Sequence, residues 1–117
     1  MRVLIFLLFP FFLLAQETTP KTDQYFVALY TVGENWDAEK SPGEQHYFKE
    51  HSSFLSQLRK DSVIVTGARY SDTGMLVLKA KDFKTINDML QQDLAIQNKL
   101  FTLEIHAYAP FYKGCIE

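Results

Sequence analysis

His51 stands where a leucine is expected. The stretch EQHYFKEHSSFLSQL, residues 44–58, has the spacing of an amphipathic helix. Tyr47, Phe54 and Leu58 share one face and Phe48 and Leu55 border it, with His51 in the middle of the apolar stripe. An imidazole there has two explanations. It is a half-buried core histidine satisfied by a backbone carbonyl, or it is a pocket base held in one tautomer by a carboxylate. Histidine suits proton transfer because its ordinary pKa, about 6.5, lies near working pH.

Other side chains that could join such chemistry are few. Asp72, in YSDTG, is the natural carboxylate partner if that turn folds towards the helix; otherwise it is ordinary turn chemistry. Asp93, in QQDLAIQ, reads first as the cap of a short helix. Trp36 is either a lid over a pocket or a cover for a sheet edge, and Arg69 either binds an anionic group or is a solvated strand end. His46 and His51 are five residues apart, about 140° around a helix at ~100° per residue, so they are no chelating pair. Ser52 and Ser53 lack the strained elbow of a serine nucleophile. No glycine loop cradles phosphate and no Cys/His cluster has zinc spacing, so no cofactor and no metal are expected.

The elements that must position these groups are legible from periodicity. QYFVALYTV reads as a strand, GENWDAEKSPGEQ as a loop, and the helix with His51 runs to about Lys60. SVIVTGA and MLVLKA are two further strands, joined as a hairpin through an Asp-Thr-Gly turn. Asp82 caps a helix whose Phe83, Ile86 and Leu90 share a face; DLAIQNKL adds one more turn, and FTLEIHAYA closes as a strand. The order β-α-β-β-α-β implies a ferredoxin-like α+β fold, four antiparallel strands with two helices on one face. FVALY, VIV and MLVL are apolar at consecutive positions, as in strands buried on both faces. Two helices cover only one face, so a homodimer packed sheet against sheet around a barrel-like interior is expected.

The 117 residues suffice for one domain. MRVLIFLLFPFFLLA has a basic residue before about 12 apolar ones, roughly 18 Å as a helix, too short for a ~30 Å hydrocarbon core. Residues 1–15 therefore read as a signal peptide, residues 16–23 as a flexible lead-in and residues 24–114 as the domain. The expected location is periplasmic or secreted, with no stable membrane association after cleavage. Removing residues 1–15 takes away Arg2 alone and leaves 11 basic against 14 acidic residues, a formal charge of −3 with no basic strip. Nucleic acid is a poor partner for such a surface. The single cysteine, Cys115, cannot form an intramolecular disulfide.

Three stretches together resemble the YCII-related domain family: GENWDAEKSPGEQHYFKEHSSFL, VIVTGARYSDTGMLVLKA and QQDLAIQNKLFTLEIHAYAPF. The resemblance implies a dimeric α+β barrel, with relatives among muconolactone-isomerase-like enzymes and dehydrochlorinases. It also implies a cleft lined by a His and an Asp, which by motif position are His51 and Asp72, with Asp93 as the aspartate of the closing segment. The chain departs from the family pattern at Gly67-Ala68-Arg69 and at Asp93-Leu94. Two functions fit these expectations. One is an enzyme in which His51 and Asp72 perform elimination, isomerisation or hydrolysis on a small organic acid held by Trp36, Arg69 and Asp93. The other is a non-catalytic ligand-binding or dimeric interaction module of the same fold.

Overall fold

The computed structural model describes residues 23–114. The signal peptide expected at residues 1–15, most of the lead-in and Cys115 lie outside the described residues.

Strand β1, Gln24–Val32, alternates as a half-covered strand must: Phe26, Ala28 and Tyr30 are buried on one face. It pairs antiparallel with β3, Thr73–Ala80, on one side and with β4, Phe101–Ala107, on the other. β2, Ile64–Tyr70, pairs with the far edge of β3, giving the order β2-β3-β1-β4. The β-α-β-β-α-β topology read from the sequence is therefore present, with the helices on one face.

Helix α1, Phe48–Lys60, begins four residues later than the apolar periodicity suggests. Pro42–Glu44 forms a 3₁₀ turn instead, and Tyr47 precedes the helix with φ 72°. Such a backbone is costly for a bulky residue and fixes where the helix can start. Arg59 and Lys60 lie in the last turn, where cations complement the helix dipole, and Ser62 at φ 62° turns the chain into β2. Helix α2, Phe83–Leu90, starts at Asp82, whose side chain accepts the Thr85 N–H at 2.8 Å. Helix α3, Leu94–Gln97, is a single turn capped by Asp93. The core lies between sheet and helices, where Leu78, Ile86 and Leu90 have no exposed surface.

Two expectations need correction here. The hairpin between β2 and β3 does not turn on glycine. Tyr70 pairs with Thr73, so Ser71 and Asp72 make the turn, Ser71 with φ 56°, and Gly74 lies inside β3 opposite Arg69. The second correction concerns the barrel. β2 and β4 are edges that do not pair with one another, so the sheet of the chain is open. In the two central strands the consecutive apolar residues have a local explanation, since neighbouring strands shelter Val27, Leu29 and Val77 laterally, whereas Val65 of edge strand β2 is 50% exposed. Val77 is only 4% exposed, and Tyr108, Pro110 and Tyr112 gather beside it over the face away from the helices. The closed barrel expected from those runs is therefore not formed by this sheet.

Candidate functional site

α1 carries His51 inwards to the bend between α2 and α3. There its Nδ1–H donates to Asp93 Oδ2 at 2.5 Å, a contact spanning 42 positions of sequence. The other carboxylate oxygen, Oδ1, accepts the Ala95 N–H at 2.9 Å. Asp93 has no exposed surface, and the His51 side chain retains only 11%. A buried carboxylate is stable only when its oxygens are satisfied, and here an amide and an imidazole share that work. Because the carboxylate accepts, the ring proton resides on Nδ1 and the lone pair on Nε2.

Three aromatic rings surround the imidazole: Phe101 at 4.8 Å between centroids, Tyr30 at 5.4 Å and Phe48 at 6.3 Å. Beyond them opens a cleft of about 480 Å³ lined by His51 and Ser52 from α1, Phe101 from β4, and Arg69 and Asp72 from the hairpin. Trp36 closes another side, packed on Phe101 at 5.7 Å. The loop that carries Trp36 is ordered by buried Gln45. Its Oε1 accepts the Asp37 N–H at 2.9 Å, and its Nε2 donates to the carbonyls of Asp37 and Lys40 at 2.7 and 3.0 Å. The carbonyl of Lys99 and the amide of Asn35 tie the same loop to the chain before β4 at 3.0 Å.

The sequence-predicted residues divide accordingly. His51, Asp72, Trp36 and Arg69 line one cleft. Asp93 does not line it and acts from behind the imidazole. The pairing of His51 with Asp72 is not what the structure contains, since the carboxylate on His51 is that of Asp93. The reason is geometric: a two-residue turn carries Asp72 to the far end of the hairpin, whereas Asp93 begins α3, which packs directly on α1. The cap role read for Asp93 is present as well, and one carboxylate serves both purposes. Gln45 and Tyr30 escaped the sequence reading. Tyr30 had a signal, because its alternation with Phe26 and Ala28 places a hydroxyl on the core face of β1. Among the described residues no group of three His, Cys, Asp or Glu side chains could hold a metal ion. No helix among them is long and apolar enough to cross a membrane.

Tyr30 titrates unusually. Burial pushes its phenol well above its ordinary value, and the Asp93 carboxylate pushes it the same way. A phenol whose pKa rises on folding contributes stability that is complete below the unfolded value, about 10, and is lost as pH climbs beyond it. Urea midpoints measured from pH 8 to 11 should therefore fall steeply above about pH 10, and less steeply in Tyr30→Phe. Parallel curves for the two proteins would refute this.

The chain matches no family model, no curated protein and no solved structure. The resemblance to the YCII-related domain family is therefore not supported, and the barrel it implied is not formed. Its motifs are short, and the positions that departed from it, Ala68-Arg69 and Leu94, fall beside the cleft and the His51 partner. What stands is an α+β domain with a buried His51–Asp93 pair.

Proposed function

We propose that this domain handles a small organic acid in the cleft, with His51 as the general acid/base and Asp93 as its positioning residue. One observation carries the reading. A fully buried carboxylate takes Nδ1 of an imidazole whose ring lines a cavity, leaving Nε2 as the nitrogen to exchange a proton with a bound molecule. Asp93 keeps the lone pair on Nε2 and stabilises the imidazolium that forms when the proton is taken. Arg69 supplies a cation for a carboxylate, and Trp36 and Phe101 supply flat apolar walls. Asp72, in this reading, faces the ligand from the cleft wall and not the imidazole. The reaction is a proton transfer of the kind found in elimination, isomerisation or hydrolysis.

The test is a panel of small mono- and dicarboxylic acids, scored by thermal stabilisation and by NMR for turnover. Turnover of one acid, reduced about 10²–10⁴-fold in His51→Ala, is the expected result. Stabilisation without turnover, lost in the same variant, assigns a binding module instead. If His51→Leu raises stability and no acid binds, the histidine is a core residue and the proposal fails.

A further inference from the structure

Among the described residues, one buried side-chain polar atom lacks any hydrogen-bond partner, the hydroxyl of Tyr30. Its residue is 6% exposed, lines the same cleft as His51, and packs edge-on to the imidazole. The free lone pair of His51 Nε2 is not hydrogen-bonded to it, and the other candidates around it are committed or are not acceptors. His51 Nδ1 and both oxygens of Asp93 have partners, and Phe101, at 6.3 Å and perpendicular, offers only a ring. A buried hydroxyl without an acceptor costs free energy, so such an atom needs an explanation in bound matter or in function.

We propose that Tyr30 is a ligand-contacting donor, and that the cleft selects flat unsaturated molecules presenting a carbonyl-type oxygen to its O–H. This rests on the reading of the cleft as a ligand site and adds to it the chemical feature the ligand must carry. The phenol suits the task because burial and Asp93 keep it protonated, so its O–H stays available as a donor. An aromatic or conjugated body matches the walls of Tyr30, Trp36, Phe48 and Phe101. A carbonyl oxygen on Tyr30 also brings the adjoining atoms towards His51, whose ring lies 5.4 Å from that of Tyr30. Charge gathering on that oxygen during proton transfer would be met by a neutral donor already in place.

The experiment compares acetophenone, which carries the acceptor, with ethylbenzene, which has similar shape without it. Both are titrated by NMR into the full chain and into Tyr30→Phe. The wild-type protein should bind acetophenone more tightly, and Tyr30→Phe should weaken acetophenone about tenfold while leaving ethylbenzene unchanged. The ligand-free thermal midpoint of Tyr30→Phe should stay level or rise, because an unpaired hydroxyl is removed. If both proteins bind the two probes alike, the role of Tyr30 is overturned while the cleft survives as a ligand site. If the variant loses both probes equally, Tyr30 shapes the cleft and does not select oxygen. If the wild-type protein binds neither probe, this proposal falls, while the reading of the cleft as an acid site is decided by the carboxylic-acid panel.

Discussion

Asp93→Ala should destabilise the domain by about 2–5 kcal/mol, the cost of leaving two buried N–H groups without an acceptor. The variant loses two contacts at once, the cap on the Ala95 N–H and the acceptor for His51 Nδ1. It leaves an imidazole N–H and a helix-end N–H without partners in a region that has no exposed surface at residue 93. Asp93→Asn separates stability from chemistry. Its carbonyl oxygen can still accept from Ala95, so the loss should be only about 1–2 kcal/mol. Its NH₂ then faces Nδ1 and can only donate, which drives the ring proton to Nε2 and removes the lone pair from the cleft side. ¹⁵N shifts of His51 read this directly. Wild type should show a protonated Nδ1 and an unprotonated Nε2, with the two exchanged in Asp93→Asn. Asp72→Asn should leave them as in wild type, because Asp72 makes no hydrogen bond to the ring. The same tautomer in Asp93→Asn as in wild type would remove Asp93 from its positioning role, whatever happened to stability.

Gly33→Ala should cost about 3 kcal/mol although it adds a single methyl group. Gly33 directly follows β1 and runs against the chain that enters β4, and its N–H donates to the Leu100 carbonyl at 2.7 Å. A Cβ at this position would lie 2.3 Å from the Lys99 carbonyl oxygen and 2.9 Å from the Lys99 carbonyl carbon. Both are backbone atoms, so no side-chain rotation relieves the overlap. The two segments must separate, and Lys99, at φ 59°, has little freedom to yield. Separation reaches the cleft, because Trp36 follows Gly33 by three residues and packs on Phe101, the first residue of β4. Trp36 is the only tryptophan of the chain, so its emission reports the event. Gly33→Ala should lower the urea midpoint and shift that emission to longer wavelength. Gly43→Ala is the control: nothing lies within 4 Å of a Cβ there, and stability should hold or rise by a few tenths of a kcal/mol. Equal behaviour of the two variants would show that the close approach at Gly33 carries no energetic weight.

Both variants probe contacts between segments far apart in the chain, and this is where the sequence stopped being legible. Local patterns sufficed for the strands, for Asp82 and Asp93 as caps, and for the element order that yields the β2-β3-β1-β4 sheet. They also singled out His51 as an imidazole inside an apolar stripe, and it is buried as that position requires. Each of these signals lies within a few residues, because turns, caps and periodicity depend on neighbouring backbone and side chains. The start of α1 was misplaced because Tyr47 in a left-handed conformation and the Gln45-held loop break a stripe that looks continuous in sequence.

Tertiary structure alone decided which carboxylate His51 meets. Asp72 and Asp93 are equally plausible by type, and only the packing of α3 on α1, with the hairpin turn carrying Asp72 away, distinguishes them. It also decided that the sheet stays open, since lateral shelter within the central strands leaves the same apolar runs as burial beneath a second layer. A hydrophobic pattern records how much surface is hidden, not what hides it. That difference arises from long-range placement, which many weak contacts settle together and no short stretch encodes.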